Sequence, residues 1–159
     1  AAIYKNVITL LNLLPSYMEI CTDDPERFEE SCRRFQAVTD VFQADGLHPG
    51  IVLNCYITMA QDWMCLGETE KALTVLEAYA ELADGDIYPL RLKGDWYFDL
   101  LDDWFEQELA LGDYPPRSES VIRRSMTQAV ADNPVFQSLS AEPRFRNIVE
   151  RLKQNETET

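Results

Sequence analysis

Four acidic residues in the second half of the chain are spaced as one face of a helix. Asp95, Asp99, Asp102 and Glu106 fall at i, i+4, i+7 and i+11 within residues 92–111, where the pattern predicts a long helix. Such a row of carboxylates can bind a cation or a basic peptide. Hard cations need about six or more converging oxygens, which one helix does not supply. The alternative interpretation is the solvated face of an amphipathic helix.

Large aromatic residues are concentrated in the same segment. Because they fall on more than one side of the predicted helix, some must pack in a core, while others are available as anchors for a ligand or partner. Packing between neighbouring helices would use large aromatic residues equally well. The candidate groove for a ligand or partner is predicted to include Tyr56, Trp63, Trp96, Tyr97 and Trp104.

Residues that could act as nucleophiles or metal ligands are few and dispersed. The single histidine, His48, has no cysteine nearby, and the chain contains no Gly-x-Ser-x-Gly elbow and no glycine-rich phosphate loop. The cysteines show neither Cys-x-x-Cys nor zinc-finger spacing, which disfavours structural zinc. We predict a non-enzyme of the cytoplasm, without a catalytic, metal or cofactor site, in which four thiols stay reduced: Cys21, Cys32, Cys55 and Cys65.

Helical periodicity covers most of the chain, and no alternating strand pattern of useful length is present. Asp24 and Pro25 form a strong helix start signal, because Asp24 can accept a bond from the free amides and Pro25 needs no donor at the first helical position. The predicted linker with the clearest composition is 45–50, with two glycines and a proline. The predicted helices are 3–20 with a kink or restart at Pro15, 25–43, 51–66, 69–83, 92–111, 118–131 and 143–154.

Two of these helices abut at one glycine. The helical patterns on either side of Gly67 carry small residues, Ala60 and Ala72, that allow closely packed antiparallel helices. A helix hairpin of this kind is the unit of helical repeat proteins, which stack such pairs into binding surfaces. The fold class predicted here is all-α, an antiparallel helix-hairpin stack with a C-terminal capping helix.

The segment 53–85 resembles the tetratricopeptide repeat, a helix hairpin of about 34 residues. It departs from that family at Tyr79, where alanine is usual, and at Asp84, where proline is common. Length and helical pattern predict one domain over 1–154, with N-terminal helices in 1–46, the best tetratricopeptide-like repeat in 51–84, a second hairpin in 88–131, a cap in 134–154 and a frayed tail in 155–159. The matching signature positions are Tyr56, Met59, Ala60, Trp63, Gly67 and Ala72.

The C-terminal stretches 133–139 and 142–148 are similar to the tail that ends many bacterial tetratricopeptide arrays. Together with 88–104, they resemble the C-terminal domains that follow a helix-turn-helix in regulators of the xenobiotic-response-element family of Gram-positive bacteria. This resemblance implies a ligand- or peptide-sensing or dimerisation domain of a bacterial transcription regulator, with its DNA-binding module outside this chain. The alternatives are a free-standing protein interaction scaffold and, less favoured, an acidic helical enzyme.

Charge and composition limit the partners of this segment. The chain has 28 acidic and 14 basic residues, so its net charge of −14 would repel a phosphate backbone. No apolar run approaches the roughly 18 to 20 residues that span a bilayer. We therefore expect a peptide or protein partner, with no direct nucleic-acid contact and no membrane. A homodimer is also expected to be possible through the apolar segment 3–18, and the start at Ala1 predicts a fragment of a longer protein.

Overall fold

The computed structural model describes residues 1–108 and 117–157, apart from the side chains of Glu106 and Glu108. Within these ranges the chain forms eight α-helices, one 3₁₀ turn at Pro134–Leu139 and no strand, which confirms the all-α prediction. The helices are α1 (Ala2–Ile20), α2 (Pro25–Phe42), α3 (Ala44–Leu47), α4 (Pro49–Cys65), α5 (Thr69–Ala83), α6 (Leu101–Glu108), α7 (Glu119–Ala131) and α8 (Pro143–Thr157).

The pair α4–α5 is the most closely packed in the fold, and its turn is at Gly67 as predicted. Gly67 has a φ of 74°, a left-handed conformation that costs glycine little. Its amide donates to the Met64 carbonyl at 3.0 Å, and the Glu68 amide donates to the Trp63 carbonyl at 2.9 Å. These two bonds are the Schellman pattern that ends a helix. Ala60 and Ala72 are both fully buried, so the helix backbones can approach closely.

The other long helices are arranged on both sides of this hairpin. α1 packs on α4 and on α2, while α8 packs on α5 and on α7. One continuous core joins them, and its largest fully buried side chains include Phe28, Phe35 and Phe136. The start of α2 is as predicted, because the Arg27 amide donates to the Asp24 carboxylate at 3.1 Å and Pro25 occupies the first helical position. α1 is continuous through Pro15 and does not restart there.

The C-terminal helix is longer than the sequence pattern predicts. α8 extends to Thr157, so the prediction of a frayed tail is wrong for residues 155–157, and residues 158–159 lie outside the described ranges. Asn155 is 3% exposed, and it takes part in three hydrogen bonds to two neighbouring residues. Its Nδ2 donates to the Ala83 carbonyl at 3.0 Å, and the Arg123 guanidinium donates both to the Asn155 carbonyl at 3.0 Å and to its side-chain oxygen. These bonds fasten α8 to α5 and α7.

The predicted helix over 92–111 is wrong for residues 92–100, which have no helical structure, and residues 109–111 lie outside the described ranges. α6 begins only at Leu101 and is packed against α1 through Phe105 and Tyr4. α7, in contrast, packs on α8. The two described helices of the predicted second hairpin therefore have different partners. The predicted linker 45–50 is largely helical, because residues 45–47 belong to α3 and α4 begins at Pro49.

Candidate functional site

Residues 84–100 form an extended connection between α5 and α6, called here the strap. Aspartate side chains hold it in place. Oδ1 of Asp95 accepts from the amides of Tyr97 and Phe98 at 2.9 and 2.8 Å, and Oδ1 of Asp102 accepts from the Gly94 amide at 2.8 Å. Such bonds compete with the amide–carbonyl bonds of a helix, and here they occupy the amides of Gly94, Tyr97 and Phe98.

Gly94 is required by the close approach of two strap segments. A Cβ atom built on Gly94 would lie 2.2 Å from the carbonyl oxygen of Phe98, well inside van der Waals contact. Any side chain there would displace the backbone. The Gly94-Asp95 pair is an ordinary turn signal that could have revealed this bend from the sequence.

A chain of edge-to-face aromatic contacts connects the strap to the helices beneath it. Ring centroids are 5.9 Å apart for Trp96 and Tyr97, 4.9 Å for Tyr97 and Phe98, and 6.2 Å for Phe98 and Tyr4. Tyr4 in turn lies 5.5 Å from Phe105. Phe98 is half-buried and packs against a small second core of Tyr4, Leu47, Leu101 and Phe105. The rings thus run from solvent into the interior.

The outer end of this chain is exposed. Trp96 is 82% exposed, Tyr97 58% and Leu100 75%. Three neighbouring apolar side chains on a segment pinned by hydrogen bonds form a surface that can bind a partner with little loss of backbone entropy. Aromatic residues of this kind dominate the energy of protein interfaces.

A cavity of about 650 Å³ lies under the strap, between its middle and the α2–α3 corner. Lys93 and Asp95 line it from the strap, and Asp40 and Asp45 line it from the corner. Its rim therefore carries three carboxylates and one ammonium group. Sequence reasoning did not find this cavity, because its walls come from segments some 50 residues apart in the chain.

No known protein family, curated protein or solved structure matches this chain. Its function therefore has to be inferred from the placement of its own residues.

The five residues predicted to line a groove are divided between two environments. Tyr56 is 8% exposed, and its hydroxyl bonds the side chain of Gln36 at 3.1 Å. Trp63 is 5% exposed and packs edge-on against Phe28, with centroids 4.6 Å apart. Both rings thus belong to the main core, where α2 meets α4.

Two of the remaining groove candidates lie in the strap, and the third lies on α6. Trp96 and Tyr97 are exposed, as given above, and Trp104 on α6 is half-buried beneath the Lys5 side chain, whose Nζ lies 4.7 Å from the ring centroid. Of the three, only Trp96 and Tyr97 have their rings in contact, whereas Trp104 packs on Phe105 and against the small second core.

The predicted acidic row does not form one helix face. Asp95 and Asp99 lie in the strap and Asp102 lies on α6, so the helical spacing does not apply. The carboxylates of Asp95 and Asp102 are used by strap amides, and the side chain of Glu106 lies outside the described part. Asp99 and Asp103 are exposed near Trp96 in sequence. They add exposed negative charge to the end of the strap and the start of α6.

Other titratable groups are placed in structural roles. His48 caps α4, with its Nδ1 accepting from the Ile51 amide at 3.4 Å, and burial lowers its pKa. All four cysteines are free, and Cys65 alone is exposed. Burial raises the pKa of Cys32 to about 12, so this thiol is unreactive at neutral pH. In the described residues no group of three or more His, Cys, Asp or Glu is arranged to hold a metal ion.

Three buried polar atoms lack a partner among the residues that the structure describes: the Thr39 hydroxyl and two groups whose pKa is shifted by burial. The Tyr4 hydroxyl is one, and burial raises its pKa to about 12. Oδ2 of Asp62 is the other, and burial, with a smaller contribution from Glu19, raises the pKa of this carboxyl to about 6. None of the described helices has the length and apolarity needed to cross a bilayer.

Proposed function

We propose that this chain is a non-catalytic binding domain whose strap takes up a peptide or a segment of a protein partner. The single observation that carries the proposal is the exposed aromatic surface of Trp96 and Tyr97, held on a hydrogen-bonded strap above a packed helical layer. An isolated exposed tryptophan on a surface is common, but here three neighbouring residues expose apolar area together. Such a surface is typical of an interaction site.

Charge indicates the chemistry of the partner. Asp99 at the end of the strap and Asp103 at the start of α6 are exposed, and Asp40, Asp45 and Asp95 line the cavity under the strap. A peptide with an apolar or aromatic residue flanked by Lys or Arg would complement both features, since its charge would be attracted by the acidic surroundings. Its arginine side chains could also stack on Trp96.

In the proposed role the strap belongs to a sensing domain of a bacterial transcription regulator with a helix-turn-helix outside this chain. The support for this step is the resemblance of 53–85 to the tetratricopeptide repeat and of 133–148 to the tail of such arrays. The ring chain from Trp96 through Phe98 to Tyr4 offers a physical route by which a bound peptide changes the packing of α1. A ligand shifts such an equilibrium only as far as it binds one arrangement better.

The test is selection of a random peptide library on the immobilised domain, followed by calorimetry with the recovered peptides. We expect peptides that combine an apolar anchor with basic residues, and we expect their affinity to fall at least about tenfold in the double variant Trp96→Ala/Tyr97→Ala. Val41→Ala is the matched control, because Val41 is 75% exposed on α2. Recovery of the same peptides by both variants with equal affinity would remove the strap as the site.

The alternative of a free-standing scaffold uses the same surface and differs in having no attached DNA-binding module. Reading the coding sequence upstream of Ala1 separates the two. A helix-turn-helix encoded there supports the regulator, and a start codon immediately before Ala1 supports the scaffold.

A further inference from the structure

α1 carries two apolar stripes, of which the fold buries only one. The buried stripe packs on α2, α4 and α6 and comprises Tyr4, Val7, Leu11, Leu14 and Met18. The second stripe lies one residue earlier at each step, which is about 100° around the helix. Its apolar members remain exposed by 56%, 43%, 62%, 43% and 73%, and they are Ile3, Leu10, Leu13, Tyr17 and Ile20.

The exposed stripe has the spacing of a helix paired with another helix. With Asn6 included, its residues follow each other at alternating steps of three and four along five consecutive intervals, the repeat that keeps one seam facing a partner helix. We call this set the α1 seam: Ile3, Asn6, Leu10, Leu13, Tyr17 and Ile20. A helix that needs to cover only one layer shows one such stripe. The second stripe indicates a second packing surface.

Charge narrows the choice of partner. α1 contains only two charged residues, Lys5 and Glu19, in a chain with a net charge of −14. Two copies of so acidic a chain repel each other over most surfaces, but none of the six seam residues is charged. At the Tyr17 end, the neighbouring carboxylates of Asp24, Glu26 and Glu30 are accompanied by the guanidinium groups of Arg27 and Arg34. The seam is therefore a surface on which like copies can meet without burying like charges.

The two ends of α1 are complementary to each other. If two seams pair antiparallel, Ile3 meets Ile20 of the other copy, and Leu10 meets Leu13. The same arrangement places Asn6 opposite Tyr17, a polar side chain against an amphipathic one, and brings Lys5 near Glu19 of the other copy. Parallel pairing would instead place Lys5 beside Lys5 and Glu19 beside Glu19. Antiparallel pairing about a two-fold axis is therefore favoured, and a two-fold axis uses the same patch on both copies.

The exposed area is of the size that a dimer uses. Taking about 200 Å² for a large side chain, the exposed fractions of the five apolar residues amount to roughly 500 Å² per copy. The polar residues between them add to this figure, and a typical stable interface buries about 800 Å² per partner. A single apolar patch of roughly 500 Å² on a small protein is itself typical of an interaction site.

We infer that the α1 seam is covered by the α1 seam of a second copy of this chain, in an antiparallel two-fold dimer. This inference goes beyond the proposed function and does not depend on it, because the seam shares no residue with the strap. Loss of peptide binding in the strap variants leaves the dimer intact, and loss of the dimer leaves the strap exposed.

The first experiment measures the mass of the whole chain in solution by sedimentation equilibrium over a range of concentrations. We expect a dimer for the wild type and a dissociation constant at least about a hundredfold weaker for Leu13→Glu, since each copy would bury an unpaired carboxylate in the seam. Val41→Glu is the control, because it places the same charge on an equally exposed apolar residue of α2. Ile20→Glu, at a position 73% exposed, serves if Leu13→Glu proves poorly folded by circular dichroism.

The second experiment tests orientation by disulfide crosslinking in a Cys65→Ser background, which removes the exposed thiol. Ile3→Cys and Ile20→Cys lie about 25 Å apart on one helix. Antiparallel pairing predicts that a mixture of the two variants crosslinks, while each variant alone does not. Parallel pairing predicts that each variant alone crosslinks with itself and that the two variants do not crosslink with each other.

Three results would overturn the inference. These are a monomeric wild type at the highest concentration tested, a Leu13→Glu chain that dimerises as tightly as the wild type, and crosslinking of each single variant with itself. Sedimentation of the wild type with phosphatidylglycerol vesicles, abolished by Leu13→Glu, would assign the seam to a lipid surface instead. The inference is supported if Leu13→Glu loses the dimer, Val41→Glu keeps it, and crosslinking occurs only when the two cysteine variants are mixed.

Discussion

Two tryptophans of this chain are in opposite environments. Trp63, in the α4–α5 hairpin, is 5% exposed and packs on Phe28 and under Lys71, whose Nζ lies 4.5 Å from the ring centroid. Trp96, in the strap, is 82% exposed and contacts only the neighbouring ring of Tyr97 among the aromatic contacts of the described residues. The hairpin uses its aromatic surface for stability, and the strap leaves its aromatic surface free.

The two regions are also held in shape by different forces. Burial of apolar side chains stabilises the hairpin, whose small residues Ala60 and Ala72 are fully buried. Hydrogen bonds that backbone amides donate to the carboxylates of Asp95 and Asp102 shape the strap, so that it needs less burial. The two regions therefore have different roles: the packed helices provide stability, and the strap, held by its own hydrogen bonds, provides the binding surface. Four measurements test this division.

The largest effect is expected for Trp63→Ala. Removal of a large buried ring loses its transfer free energy and leaves a cavity, so the free energy of unfolding should fall by about 3 to 5 kcal/mol. Urea unfolding followed by far-UV circular dichroism measures this change. A loss below about 1 kcal/mol would show that the hairpin does not depend on this ring, and the comparison of the two regions would fail.

A smaller loss is expected for Gly94→Ala, because the new Cβ would lie 2.2 Å from the Phe98 carbonyl oxygen and the strap would have to move. We expect a destabilisation of about 1 to 3 kcal/mol and faster hydrogen exchange at the amides of Tyr97 and Phe98. Gly46→Ala in α3 is the matched control, since a Cβ there meets nothing within 4 Å. If hydrogen exchange at the Tyr97 and Phe98 amides is as slow in Gly94→Ala as in the wild type, the bonds to Asp95 do not depend on the close approach at Gly94, and this account of the strap is wrong.

The next effect is expected for Asp62→Asn. Asp62 is an acidic residue of the hairpin, and its Oδ2 has no hydrogen-bond partner in the described part of the chain. Burial raises the pKa of Asp62 from 3.8 to about 6, so the folded state binds its proton more tightly than the unfolded state does. The wild type therefore loses stability as pH rises through this interval. At pH 7 the variant should be more stable by about 1 to 2 kcal/mol, less than the full shift because the side chain keeps some solvent contact.

The pH dependence of this difference provides the control for Asp62→Asn. Below pH 4 both forms carry an uncharged side chain, and their free energies of unfolding should converge. A difference that stays constant from pH 4 to pH 7 would mean that the substitution acts through packing and not through the charge.

The smallest effect on stability is expected for Trp96→Ala. Because the ring is 82% exposed, its removal should change the free energy of unfolding by less than about 0.5 kcal/mol, while peptide binding to the strap is weakened. The same urea titration as for Trp63→Ala gives the direct comparison. A loss above 1 kcal/mol would make Trp96 a packing residue and would remove the main support for the strap as a binding site.

Local signals in the sequence determined the helices and their ends where the chemistry involves residues only a few positions apart. The cap at Asp24, the first-turn proline Pro25 and the turn at Gly67 were all predicted, because each depends on bonds within about one helical turn. The all-α class followed from the same local periodicity.

Tertiary structure alone decided which predicted residues are free and which are buried. Tyr56 and Trp63 have the residue types of a binding groove but lie in the core, because α2 packs over them. Asn155 looks like part of a polar tail but is buried by Arg123 and Ala83, which are 32 and 72 residues away in sequence. The sequence pattern of residues 92–100 predicts a helix, but in the folded chain the Asp95 carboxylate accepts bonds from backbone amides there and the segment is not helical. Burial depends on partners that are distant in the chain, and local periodicity carries no information about them.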